Sequence, residues 1–251
     1  MIDFTKDTHI HTAYSPDADK KATFQRYIDK AVDLGLKELT FTDHVDFDAV
    51  HPLFFNMIDY DTYIKDFNEV KKTSKIPIKL GVEIGYQEHM TTEINTFIDK
   101  YPFDHVILSI HYIEKKDLYT KEYFKRKTKK EAYSIYFDTC IKAVLEIPNF
   151  TVFGHLDYIT RYSEMGDYLY TDYQEQIDTL LNLIIKNDRG IEINTSGFVV
   201  GENPYPNYQV IKRFKELGGT FITMGSDAHN VEELGRSFTT VQKQLKKAIQ
   251  I

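Results

Sequence analysis

Apolar positions along the chain fall into two alternating kinds of run. Short stretches rich in β-branched and aromatic residues, Phe4–Ile10, Glu38–Thr42, Ile78–Ile84, His105–Ile110, Thr151–Gly154, Gly190–Asn194 and Thr220–Gly225, read as seven strands. Between them apolar residues recur at three- and four-residue spacing: Phe24/Ile28/Ala31/Val32, Ile64/Phe67/Val70, Ile94/Phe97/Ile98, Ile135/Ala143/Val144, Ile177/Leu180/Leu181/Ile184 and Val210/Ile211/Phe214/Leu217. That spacing predicts amphipathic helices. The punctuation agrees, since Gly35 follows Leu34, Pro77 follows the second helical stretch and Gly218-Gly219 closes the sixth. Thr91 and Asp172 stand where capping side chains are expected.

Regular βα alternation implies a parallel sheet with crossover helices, either open and doubly wound or closed into a barrel. An open sheet concentrates its site at one switch point, usually with a glycine-rich phosphate loop, and neither G-x-G-x-x-G nor a P-loop occurs here. Candidate metal ligands instead sit where the apolar runs stop: His9, His11, Asp17, His44, Glu83, His111, His155, Asp227 and His229. Six of the nine histidines are in that set. Side chains at the ends of six or seven strands converge only if the strands form a ring, with its site at the C-terminal mouth. The expectation is an α/β barrel of seven strands, one short of the usual eight.

Each cluster has a local logic. Period-two alternation puts His9 and His11 on one face of the first strand, a two-toothed clamp, with Asp7 at the same parity as a supporting acceptor or a buried polar residue. Asp17 follows Ser15-Pro16 in a loop able to fold back over the strand end. The Asp227-Ala228-His229 run repeats the i, i+2 geometry with one carboxylate. Imidazoles and carboxylates without thiolate suit zinc, iron or manganese. Nine ligands exceed one ion's needs, so two to three divalent ions are expected, with Glu83 as the bridge because it is the lone acid between histidine-bearing neighbours. His105 opens its strand about 20 Å from His111, at roughly 3.3 Å per residue, and belongs to the opposite face. His51 and His89 lie in loops on the active face, where ordinary loop polarity is the simpler reading.

Length and composition narrow the classes. The 251 residues suffice for one barrel, and no linker, repeat or low-complexity tract divides 1–251. No apolar run approaches the roughly 18 residues of a membrane span, and MIDFTKDTHIH has no apolar signal region, so a cytoplasmic protein is expected. Cys140 is the single cysteine, which excludes internal disulfides and cysteine-rich zinc sites. A net charge of −7 argues against binding of long nucleic acid. The basic stretch Lys115–Lys130, with eight Lys/Arg among Tyr119, Tyr123 and Phe124, reads as a solvated loop leading into a helix or as a cover that attracts an anion.

The motifs D7-T-H-I-H-T, T42-D-H, G81-V-E, S109-I-H, G154-H and G225-S-D-A-H, in this order, resemble the polymerase and histidinol phosphatase (PHP) family across essentially the whole chain. The resemblance implies a distorted seven-stranded TIM-like barrel with a trinuclear centre. One ion would take His9, His11, Glu83 and Asp227, a second Glu83, His111 and His155, and a third Asp17, His44 and His229. Within the family, chain length, N194-T-S-G and S15-P-D look most like the histidinol-phosphate phosphatases of histidine biosynthesis. The reaction implied is hydrolysis of L-histidinol phosphate to L-histidinol and inorganic phosphate. A family phosphoesterase acting on another small phosphomonoester, a nucleotide or a phosphodiester is the alternative.

Phosphoryl transfer is mostly positioning and charge neutralisation, and clustered metals supply both while making hydroxide at neutral pH, the expected nucleophile. Asp227 or His229 is placed to assist the leaving alkoxide. Arg161, six residues beyond His155 on the catalytic face, is the expected phosphate grip, and His44 a further substrate contact. Aromatic and acidic groups for the substrate's imidazole and ammonium are expected among Tyr112, Tyr158, Phe198, Asp48, Glu88 and Glu202.

Overall fold

Seven parallel strands form a ring whose polar mouth collects the candidate ligands. The computed structural model describes residues 2–54 and 58–248, so both ends of the expected 1–251 unit lie outside the described residues. The strands are β1 (Lys6–Ile10), β2 (Glu38–Phe41), β3 (Ile78–Gly85), β4 (His105–Ser109), β5 (Val152–Phe153), β6 (Gly190–Asn194) and β7 (Ile222–Gly225), paired in that order. A short strand, His44–Asp46, continues β2 and pairs with the end of β3, placing His44 beside Glu83. Ring closure runs through the edge of β1 and β7: Ile10 bridges Ala228, Asp227 N donates to His9 O at 2.9 Å and His11 N to Ala228 O at 2.9 Å.

The helices are α1 (Phe24–Leu34), α2 (Tyr60–Lys71), α3 (Thr91–Lys100), α4 (Lys129–Glu146), a single turn α5 (Ile159–Tyr162), α6 (Gln174–Lys186), α7 (Tyr208–Glu216) and α8 (Phe238–Ala248). The expected apolar stripes face the ring, with Phe24, Ile28 and Ala31 in α1 and Ile177, Leu180, Leu181 and Ile184 in α6 buried, except that Val32 of the expected α1 stripe is exposed and Tyr27 takes its place in the core. Gly35 ends α1 in the left-handed conformation at φ 72°. Two expected caps are corrected. Thr91 is the first residue inside α3, its hydroxyl donating to Glu88 O and Glu146, and Asp172 ends a 3-10 turn one residue before the α6 cap, Tyr173. In both places a short 3-10 turn precedes the helix and takes the position a capping residue would occupy. α2 stops at Lys71, well ahead of Pro77.

The basic stretch leads into a helix, as expected, through a more ordered path than a plain loop. It begins in a hairpin, Tyr112–Ile113 against Lys116–Asp117, and ends in the first turn of α4, where Thr128 and Glu131 form a reciprocal capping box. Lys115 pairs with Asp48, Lys121 with Glu164, Lys125 with Glu122, and Lys116 and Lys127 with Glu114. Five of its eight cations are thereby paired with surface acids. Among the described residues, no helix is long and apolar enough to cross a membrane.

Candidate metal centre

All nine expected ligands meet at the C-terminal mouth of the ring, seven of them lining a cavity of about 350 Å³ and His9 and His11 buried behind it. Glu83 is its hub. Its Oε2 lies 3.3 Å from His9 Nε2, 3.5 Å from His11 Nε2 and 3.0 Å from His44 Nδ1, while Oε1 lies 2.8 Å from His155 Nε2 and 3.2 Å from His111 Nε2. Asp227 Oδ1 stands 3.2 Å from His11 Nε2 and 3.5 Å from His9 Nε2. Asp17, carried back over the mouth by its loop, puts Oδ2 3.0 Å from His229 Nε2 and 3.6 Å from His44 Nε2.

The orientation of the rings follows from what holds their outer nitrogens. His9 Nδ1 meets Glu192 Oε1 at 2.6 Å, His11 Nδ1 meets Ser15 Oγ at 3.3 Å, His111 Nδ1 meets Asp46 Oδ1 at 2.9 Å, and His229 Nδ1 meets the Asp227 carbonyl at 3.0 Å. Each ring therefore turns Nε2 inward, the arrangement by which an outer acceptor fixes a ligating imidazole. The inner atoms are not satisfied by one another. His9 Nε2 and His11 Nε2 face each other at 3.0 Å, and Glu83 Oε2 and His44 Nδ1 are buried without a hydrogen-bond partner among the described residues. Buried lone pairs converging in this way are costly unless a cation is shared among them. The donor set, imidazole and carboxylate, fits first-row divalent ions. His9/His11/Glu83, His44/Glu83/His111 and His11/His44/His229 are each close enough to hold one.

Electrostatics reflect the same crowding. Burial alone raises the Glu83 and Asp227 carboxyls, but the surrounding imidazoles outweigh it and hold both well below the usual carboxylate range. Burial lowers His111, and Asp46 and Glu83 reverse this, lifting it to about 10. His11 is pushed down to about 3 by burial and by its cationic neighbours His229 and His44.

Several supporting groups were not anticipated. Asp46 was legible in principle as His44 plus two on the same strand face, and Glu192 and Asn194 as the two polar positions of the otherwise apolar run Gly190–Asn194. Asn194 Nδ2 reaches Glu192 Oε2 at 3.2 Å and Asp227 Oδ2 at 3.3 Å. Asp43 collects the Thr12 and Ser15 amides and hydroxyls and so shapes the loop that carries Asp17. Two glycines permit these approaches: a Cβ on Gly85 would lie 1.8 Å from Asp46 Oδ1, and one on Gly225 2.1 Å from Glu192 Oε1. Asp7, as expected, is a buried acceptor, binding the amides of Ser226 and Gly235.

Arg161 lines the cavity beside Tyr158 and Tyr162, its Nη1 donating to Ser196 Oγ at 2.9 Å. Of the residues expected to select the substrate, Tyr112 and Tyr158 line the cavity, whereas Phe198, Asp48, Glu88 and Glu202 do not. Asp48 is turned to His89 and Lys115 and Glu88 to Lys142, and these ion pairs hold both carboxylates away from the cavity. His51 lines the cavity and His89 does not. His105 is buried at the far end of the ring, among the residues of a separate cavity.

A model of the PHP domain matches residues 7–196. The probable histidinol-phosphatase of Clostridium acetobutylicum is 35% identical over 94% of this chain and 91% of its own length. The histidinol-phosphatase of Lactococcus lactis subsp. lactis is 32% identical over 96% and 90%. A crystal structure of the Lactococcus enzyme, complexed with zinc, L-histidinol and phosphate, superposes with a TM-score of 0.85 at 31% identity, covering 99% of this chain and 94% of that one.

Proposed function

Because the chain belongs to the PHP domain family, we propose that it is a metal-dependent histidinol-phosphatase, hydrolysing L-histidinol phosphate to L-histidinol and inorganic phosphate. The observation that carries this reading is the ring of inward Nε2 atoms around the two-sided carboxylate Glu83, beside a cavity that also holds a guanidinium. His9, His11, Glu83 and Asp227 would hold one ion, Glu83, His111 and His155 a second, and Asp17, His44 and His229 a third. Zinc, iron and manganese suit these donors, and the relative crystallised with zinc supports the first. When bound, the ions neutralise the phosphate and activate water as nucleophile.

The chain's own residues do the rest. Arg161, tethered by Ser196 and backed by two tyrosines, grips a phosphate oxygen from the side away from the metal ring. His44 lies at the junction of Asp17 and Glu83, at the cavity wall, where phosphate oxygens arrive. Asp227 and His229 flank the same wall, adjacent to the leaving alkoxide, and the Asp227 carbonyl fixes the His229 tautomer. Glu192, Asp46 and Ser15 keep the imidazoles aimed inward as charge moves.

Phosphate release by metal-loaded protein, measured against L-histidinol phosphate, an aryl phosphate, a sugar phosphate and a phosphodiester, tests the reading. kcat/KM should favour histidinol phosphate by orders of magnitude, because a site built for a hydrogen-bonding substrate rejects analogues that lack those groups. Equal turnover of the aryl phosphate or the diester would reassign the substrate.

A further inference from the structure

The loop after β7 carries two of the expected ligands, Asp227 and His229, on a backbone of uncommon shape. Asp227 stands at φ 54°, in the left-handed region that a residue with a Cβ keeps only when its surroundings over-determine it. Its amide donates to His9 O at 2.9 Å, and its carbonyl accepts from His229 Nδ1 at 3.0 Å. A third contact comes from further along the chain. Arg236 Nη2 donates to the Ser226 carbonyl at 3.0 Å and reaches the Asp227 carbonyl at 3.4 Å, so one guanidinium nitrogen serves both peptide oxygens that flank the turn.

Asp7 brings Arg236 back onto its own loop, because its two carboxylate oxygens take the amides of Ser226 and Gly235 at 2.9 and 3.0 Å. From there Arg236 Nη1 stands 3.5 Å from Glu233 Oε1, while Glu233 Oε2 accepts the His229 amide at 2.8 Å. The ligand run is thus held at both ends, its carbonyls at Ser226 and Asp227 by the guanidinium and its amide at His229 by the paired carboxylate. A planar fork can serve adjacent carbonyls and a carboxylate together, which a point-like ammonium cannot. Arg236 and Glu233 also line the cavity. Both terminal nitrogens of Arg236 nevertheless face the protein, so this guanidinium is not offered to a phosphate in the way proposed for Arg161.

We propose that Arg236 is a positioning residue of the metal centre, locking the left-handed turn at Asp227 and, through Glu233, the backbone at His229. The role rests on the metal-dependent reading above, in which the Asp227 carboxylate and the His229 imidazole serve different ions from one short run. Only a turn of fixed shape can aim both. Arg236 touches neither ion nor substrate and acts through the two ligands alone.

The test compares full-length wild type with Arg236→Met, which keeps the stem and removes every donor, and Arg236→Lys, which keeps the charge without the fork. Zinc affinity, read by chelator competition, should fall by about 10- to 100-fold in Arg236→Met, the usual effect of losing an outer partner of a ligand. Lysine should recover only part of it. With L-histidinol phosphate, kcat at limiting zinc should fall and return under excess zinc, with KM unchanged, as expected when metal occupancy rather than substrate binding is lost. Wild-type zinc affinity in Arg236→Met overturns the proposal, including the case where only the Tm of the metal-free protein drops, which would make the residue a structural brace. A raised KM at full zinc occupancy also overturns it, because Arg236 would then be a substrate contact. If Arg236→Met does not fold, Arg236→Lys decides alone: reduced zinc affinity supports the assignment and wild-type affinity overturns it. Failure of the histidinol-phosphatase reading would look different, since wild type would then turn over an aryl phosphate as well as L-histidinol phosphate while the zinc result stood.

Discussion

Glu83 divides its two oxygens between two groups of imidazoles, with His9, His11 and His44 around one and His111 and His155 around the other. A carboxylate in that position would link two ions, so Glu83→Ala should release more metal than Ala at any single histidine. Elemental analysis of gently purified protein measures this, with about two to three ions per chain expected for the parent by the ligand counts typical of such sites. A Glu83→Ala protein that kept its metal while His111→Ala lost it would remove the bridge. Arg161 calls for the opposite outcome, because its contacts are with Ser196 and two tyrosine faces and not with the ligands. Arg161→Ala should keep its metal and lose about 10- to 150-fold in kcat/KM, the value of one charge-assisted contact. Lysine should restore only part, since a point charge cannot make the two-pronged contact. Wild-type kinetics in Arg161→Ala at full metal content would leave the phosphate to the ions alone.

At the level of elements, β6 contributes no ligand and yet controls two of them. Glu192 binds the His9 ring on one side and the His155 amide on the other, at 2.6 and 3.0 Å. Glu192→Gln keeps the shape and removes the charge, so chelator competition should show metal affinity reduced by about 10- to 100-fold, the usual effect of losing such an outer partner. Unchanged affinity would mean that backbone geometry alone aims His9. The same strand shows what the sequence made readable. Ligands at strand ends are visible because alternation puts H-x-H and D-x-H on one face. Their partners depend on register, such as His44 beside Glu83, or on a glycine that admits a neighbour's carboxylate, as Gly225 admits Glu192, and no local pattern encodes either. Loop residues fared worst for the same reason. For Asp48 and Glu88 the side-chain direction, set by pairing with His89, Lys115 and Lys142, was not legible.

On the scale of the whole ring, the two ends handle buried histidine in opposite ways. At the mouth carboxylates surround the imidazoles, whereas at the far end His105 is 6% exposed and its Nε2 has no partner among the described residues. Burial, with His9 and Lys79 adding to it, pushes His105 down from 6.5 to about 3, so the folded ring keeps it neutral. The unfolded chain binds the proton from pH 6.5 downward and the folded chain does not until about pH 3, so stability is full above 6.5 and falls as pH drops through that interval. At pH 5 the loss from this one group is about 2 kcal/mol. His105→Leu, of similar volume and without a titrating group, removes the slope. The wild-type protein should therefore lose about 4–8 °C in Tm relative to the variant between pH 7.5 and pH 5, at the roughly 2–4 °C per kcal/mol expected for a chain of this size. Taking the difference between two proteins that share every ligand cancels the acid sensitivity of the metal centre. Parallel Tm curves over that range would show that His105 is solvated or protonated inside the ring.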